Sequence, residues 1–232
     1  MLPSKPRLLL TWLLLLCAAI GECPAPARAQ QVKLLPVDEA AADISWIRFR
    51  NELLTALAQR DKRFVLNIVD PKIDNGADVP KGVAEFRKQW EFDGDGKALW
   101  SELSKILFLG SVYVPDRASR SQQVCAPYVA IKWPDQYDAL SGGAIISNEV
   151  LVKERPSAAS RTLATLSYDL VPVTDWEVAD EDPATPQKWV KVTVKAGAGF
   201  VPEEQIRSAV EHRACFRRTH AGWKLTALFA GE

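Results

Sequence analysis

Histidine, methionine and cysteine are scarce in this chain: two, one and four residues of 232. That scarcity limits chemistry at once. Only His212 and His220 offer imidazoles, and no Cys/His spacing matches a zinc site. No serine sits in a glycine-rich elbow that would expose a nucleophile. Asp93-Gly94-Asp95-Gly96 lacks the closing glutamate of a calcium loop and reads as a turn. Neither a metal nor a cofactor is therefore expected, and no catalytic residue is assigned. An excess of one charge is missing too, because 29 basic residues cancel 29 acidic ones. A balanced chain has no overall field for polyanions, so nucleic acid is not an expected partner. Long apolar runs are absent except at the N-terminus.

That exception, Leu8 to Ile20, is apolar but for Thr11 and follows the basic Lys5 and Arg7. It is short for a membrane span of about 20 residues and has the length of a signal-peptide core. Ala27-Arg28-Ala29 places small residues where a signal peptidase reads, so cleavage is expected between Ala29 and Gln30. Residues 1–29 are then a signal peptide, with an uncleaved anchor as the alternative. Leu16 before Cys17 and Glu22 before Cys23 do not suit lipidation. Removing Lys5, Arg7, Arg28 and Glu22 leaves a net charge of about −2 on the mature chain. Two cysteines survive, Cys125 and Cys215. An isolated pair in an oxidising compartment is most simply a disulfide, two free buried thiols being the alternative. The expected location is periplasmic or secreted, with the signal peptide as the only membrane-targeting element.

In the mature chain, residues 30–42 read as a flexible leader. Asp43 is a helix N-cap, and Trp46, Phe49, Leu53 and Leu57 follow at helical spacing. A second short helix begins near Phe64. Pro71 to Pro80 reads as a loop, Lys81 to Trp90 as a third helix and Ala98 to Leu109 as a fourth, with Gly110 as its C-cap. Texture then changes to short β-type runs at Ser111–Val114, Ala126–Lys132 and Ala144–Ile146. The polar segment Asp116–Gln123 and the loop Pro134–Ser141 separate them. Glu211–Arg218 and Gly222–Phe229 read as a β-hairpin, Ala214 and Phe216 facing inward on one strand and Trp223, Leu225, Ala227 and Phe229 alternating on the other.

Residues 148–207 resemble a bacterial Src-homology-3-like domain. The carrying segments are Val150-Leu151-Val152-Lys153-Glu154-Arg155-Pro156, Leu163-Ala164-Thr165-Leu166, Lys188-Trp189-Val190-Lys191-Val192 and Gly199-Phe200-Val201-Pro202. They run in family order over about a quarter of the chain. Departures are Lys153 for the usual arginine, Asp169 for the turn glycine and Phe200 for the closing tryptophan. The loop Thr174–Gln187 is long and carries Glu177, Asp180, Glu181 and Asp182. The resemblance implies a small β-barrel whose relatives bind cell-wall peptides, glycans or protein segments. Isolated segments of the remainder, among them Gly222 to Leu228, also resemble the nuclear-transport-factor-2-like superfamily, which includes enzymes and non-catalytic pockets.

The fold expected is α+β. A discontinuous domain of helices and hairpin, 43–146 plus 209–232, would carry the barrel of 148–207 inserted or docked beside it. A Cys125–Cys215 bridge would tie its two pieces together. Trp46, Trp90 and Trp100 fall at helical spacing and read as core. Trp133 and Trp176 sit in polar contexts, Tyr168 in a turn and Trp189 at the resembling domain's core edge. These four are the candidate binding residues, with Tyr168 and Trp176 expected on one edge flanking Leu170–Val173. His212 reads as lying on an exposed strand. The function expected is binding of a cell-wall component or an envelope protein. The alternative is a small-molecule or enzymatic pocket in the helical domain with the barrel as accessory. A third reading makes the barrel purely structural.

Overall fold

Asp43 begins the ordered helices for a local reason. Its carboxylate accepts from the backbone N–H of Ser45 at 2.8 Å and of Trp46 at 3.2 Å, which caps α1, Ile44–Ala58. The expected stripe of Trp46, Phe49, Leu53 and Leu57 is buried. The computed structural model describes residues 32–116, 121–185 and 187–231. The expected signal peptide, with its expected cleavage between Ala29 and Gln30, lies outside them, as does part of the segment 116–123. Asp61 caps α2, Lys62–Ile68, by accepting from Phe64 N, so this helix starts earlier than the apolar pattern suggested. Helices α3, Val83–Gln89, and α4, Lys97–Phe108, follow. Gly110, at φ +70, takes the left-handed conformation just beyond α4.

The chain is α+β, with five α-helices and two sheets among the described residues. The first sheet takes β1 (Val69–Asp74), β2 (Val112–Asp116) and β3 (Ser121–Ala126) from the first half. From the C-terminus it takes β11 (Arg213–Thr219) and β12 (Gly222–Phe229), in the order β1-β12-β11-β3-β2. Helices α1 to α4 supply the other side of its core, where Trp46 and Phe216 meet at 5.2 Å between ring centroids. Cys125 and Cys215 face each other on β3 and β11 and are joined by a disulfide, Cα–Cα 4.1 Å.

Three expectations fail here. Pro71 lies in β1 rather than in a loop, tolerated because β1 is an edge strand that, among the described residues, pairs only with β12. The β-type run Ala126–Lys132 ends at Ala126; a cis Ala126–Pro127 peptide follows, then a helical turn, α5, Tyr128–Ile131. The alternation in β12 holds only to Leu225. A bulge at Thr226 sets Phe216 opposite Leu225 and Cys215 opposite Ala227, so the next buried residue is Leu228.

The second sheet has seven strands in the order β10-β4-β7-β8-β9-β5-β6. They are β4 (Gly142–Ile145), β5 (Val150–Lys153), β6 (Thr162–Leu166), β7 (Leu170–Ala179), β8 (Lys188–Val194), β9 (Gly197–Pro202) and β10 (Ile206–Arg207). Among the described residues it is open: β6 and β10 are its edges, and no closed barrel forms. Its own core includes Val152, Val171, Val190 and Val201. The strand β4 lies outside the expected barrel span yet pairs with β7. The expected loop Thr174–Gln187 shrinks because β7 runs on to Ala179. What remains is held, Asp180 accepting from the Trp189 indole at 2.7 Å and Glu181 pairing with Arg155 at 3.1 Å.

The leader is not loose where it is described. Val32 O accepts from Leu170 N and Leu34 N donates to Tyr168 O, both at 2.8 Å, while Lys33 pairs with Asp169 at 3.1 Å. Leu34 is buried in a third core cluster with Val112, Tyr128, Ala144 and Leu170. That cluster joins both sheets, which belong to one compact unit, Gln31–Glu232. Burial pushes the Tyr128 hydroxyl up to about 12, and it reaches Leu34 O at 3.4 Å.

Candidate functional site

The end of α4 meets the edge of the second sheet at an open groove of about 720 Å³. From α4 come Lys105 and Phe108, and from its C-cap Leu109; from the sheet side come Ile146, Trp176 and Ile206. Phe108 is the clearest sign of an unfilled surface. It falls off the buried stripe of α4 and leaves 74% of its surface exposed. Trp176 is half-buried, packing on the second core and facing the groove. Ile206 lies over Gly143. A Cβ at Gly143 would come within 2.6 Å of Ile206 Cδ1, so only glycine lets β4 pass beneath it.

The polar side is uneven. Glu177, Glu203, Glu204 and Glu211 border the groove, against Lys105 and Arg207. Arg207 is committed internally. With 5% of its side chain exposed, it pairs with Glu102 and Glu211, each at 3.1 Å, and donates to His212 O at 2.7 Å. Among the described residues no cation pairs with Glu177, Glu203 or Glu204. Burial pushes the Glu211 carboxyl up, and Arg207 beside it pulls the other way. Burial holds His212 below its ordinary value, opposed by Glu102. His212 is not on an exposed strand. It precedes β11 and lies against Trp90, centroids 5.0 Å apart, with Nδ1 3.9 Å from Glu102.

Of the four candidate aromatics, only Trp176 lines this groove. Trp189 is core, 1% exposed, with its N–H on Asp180. Trp133 folds onto its own loop, donating to Tyr137 O at 2.8 Å and meeting the Tyr137 ring edge-on. Tyr168 holds a left-handed turn, φ +58, whose backbone clasps the N-terminal strap. It does not line the groove with Trp176, contrary to the shared edge expected. Trp176 lies within strand β7, and the extended chain from Leu170 to Trp176 covers roughly 20 Å.

Phe108, Ile206, Arg207, Glu203, Glu204 and Glu211 carried no signal of their own, whereas Glu177 stands in the acidic stretch after Trp176 that the sequence shows. Phe108 extends an apolar helix end, and Arg207 meets Glu102 across 105 residues of sequence. Among the described residues, no cluster of three or more His, Cys, Asp or Glu is placed to hold a metal ion. Trp46, Phe49, Phe216 and Leu225 fill the space between the helices and the first sheet. Comparison of the chain with protein-family models, with curated proteins and with solved structures finds no match.

Proposed function

We propose that this is an exported binding protein of the bacterial envelope, and that it holds a segment of a partner protein in the groove between α4 and the second sheet. The observation that carries the reading is the exposed Phe108 facing Trp176 and Ile206 across about 720 Å³. Concave apolar surface with a few charged groups at its border is where ligands lodge, and exposed aromatics are common anchors. The Cys125–Cys215 disulfide supports an oxidising compartment, and with it removal of residues 1–29. Aromatic packing inside the helical domain favours this reading over an interior small-molecule or catalytic pocket. The family order of segments in 148–207, now set on β5 to β10, supports a Src-homology-3-like relation for that region.

Phe108→Ser gives a clean test, because so exposed a side chain contributes little to folding. Mature protein and variant are cross-linked in an envelope extract and in purified cell wall, and their melting curves compared. The reading expects a protein partner captured by the parent, lost with Phe108→Ser at unchanged melting temperature. Capture indifferent to Phe108→Ser would overturn it.

A further inference from the structure

The charge around the groove points to the chemistry of its occupant. Glu177 stands beside Trp176 at the far end of β7, while Glu203 and Glu204 lie together in the turn between β9 and β10. All three are exposed and none has a cation partner among the described residues. Arg207, the one buried cation here, is neutralised by Glu102 and Glu211, and Lys105 sits 4.0 Å from Glu102. The groove's border is therefore net negative around an apolar floor. We propose that the groove selects a basic, apolar peptide segment: a large apolar side chain seated between Phe108, Trp176 and Ile206, with a neighbouring lysine or arginine at Glu203, Glu204 or Glu177. This rests on the groove reading above and adds the sign of the partner's charge.

Apolar contact supplies the affinity in such a site. The bordering carboxylates supply selection, because a negative field repels anionic segments and speeds the approach of cationic ones.

The probes are short fluorescein-labelled peptides in which leucine alternates with lysine, with serine or with glutamate, read by anisotropy. The lysine peptide is expected to bind at least about tenfold more tightly than the serine peptide, the glutamate peptide weakest. The same loss is expected for the lysine peptide on Glu203→Gln/Glu204→Gln, and on Phe108→Ser. Raising salt should weaken the lysine peptide alone. If the serine peptide binds as tightly as the lysine one, and Phe108→Ser abolishes both, the charge inference falls while the groove reading stands. Capture of purified cell wall, with no lysine-peptide binding, likewise overturns the inference. Lysine-peptide binding that ignores Phe108→Ser overturns both.

Discussion

At Arg207, a guanidinium with 5% of its side chain exposed is held between Glu102 of α4 and Glu211. His212 follows directly, and its environment gives a pH dependence whose sign can be worked out. Burial lowers its folded value below 6.5, while the unfolded chain keeps the ordinary one. Between those two values the unfolded state binds more protons, so stability is full above about 6.5 and drains as pH falls through the window. Glu211 acts in the opposite sense: its raised folded value removes stability as pH rises through it. Replacing His212 by phenylalanine keeps a ring against Trp90 and removes the titration. Urea unfolding between pH 5 and 8 should show a smaller loss of stability below about 6.5 in His212→Phe than in the parent. Equal pH slopes in the two proteins would mean that His212 titrates alike in both states.

Elements were legible where one local rule sufficed. Helices α1 and α4 announce themselves by an apolar stripe, and α1 by its Asp43 cap as well. That cap satisfies two N–H groups that the helix itself cannot. Asp43→Ala should therefore cost about 1 kcal/mol, read as a lower urea midpoint with unchanged slope. A change below experimental error would show that water replaces the cap. Strands were harder because their partners are distant. Proline argued against β1, yet an edge strand spares the N–H that Pro71 lacks. The bulge at Thr226 moved the buried position from Ala227 to Leu228. No periodicity within eight residues can announce a bulge whose cause is the register of β11. The apolar run after Ala126 could not choose between strand and helical turn, because Tyr128 and Val129 are buried either way.

At the scale of the molecule, both sheets and the groove depend on contacts between residues far apart in sequence. The α+β class and the C-terminal hairpin of β11 and β12 could be read in advance. The groove could not, since Phe108, Trp176 and Ile206 belong to three separate stretches. The Cys125–Cys215 bridge was legible because compartment and count left one pairing. Its position explains what it does. The bridged residues stand directly opposite each other on β3 and β11, 90 positions apart in sequence, and all seven strands of the second sheet lie between them. The bridge keeps the two halves of the first sheet together whether or not the second has formed. In the chain-entropy model, closing a loop of that size restricts the unfolded chain by about 4–5 kcal/mol, an upper value. The double variant Cys125→Ser/Cys215→Ser should thus unfold at distinctly lower urea. The core cluster of Leu34, Val112, Ala144 and Leu170 still joins the sheets, and Arg207 still ties the second sheet to α4, so native near-ultraviolet dichroism should persist before that transition. A variant as stable as the parent would show that β3 and β11 stay paired in the unfolded chain without the bond. Loss of the native signal even without urea would show that the first sheet cannot assemble around the intervening strands unless it is covalently closed.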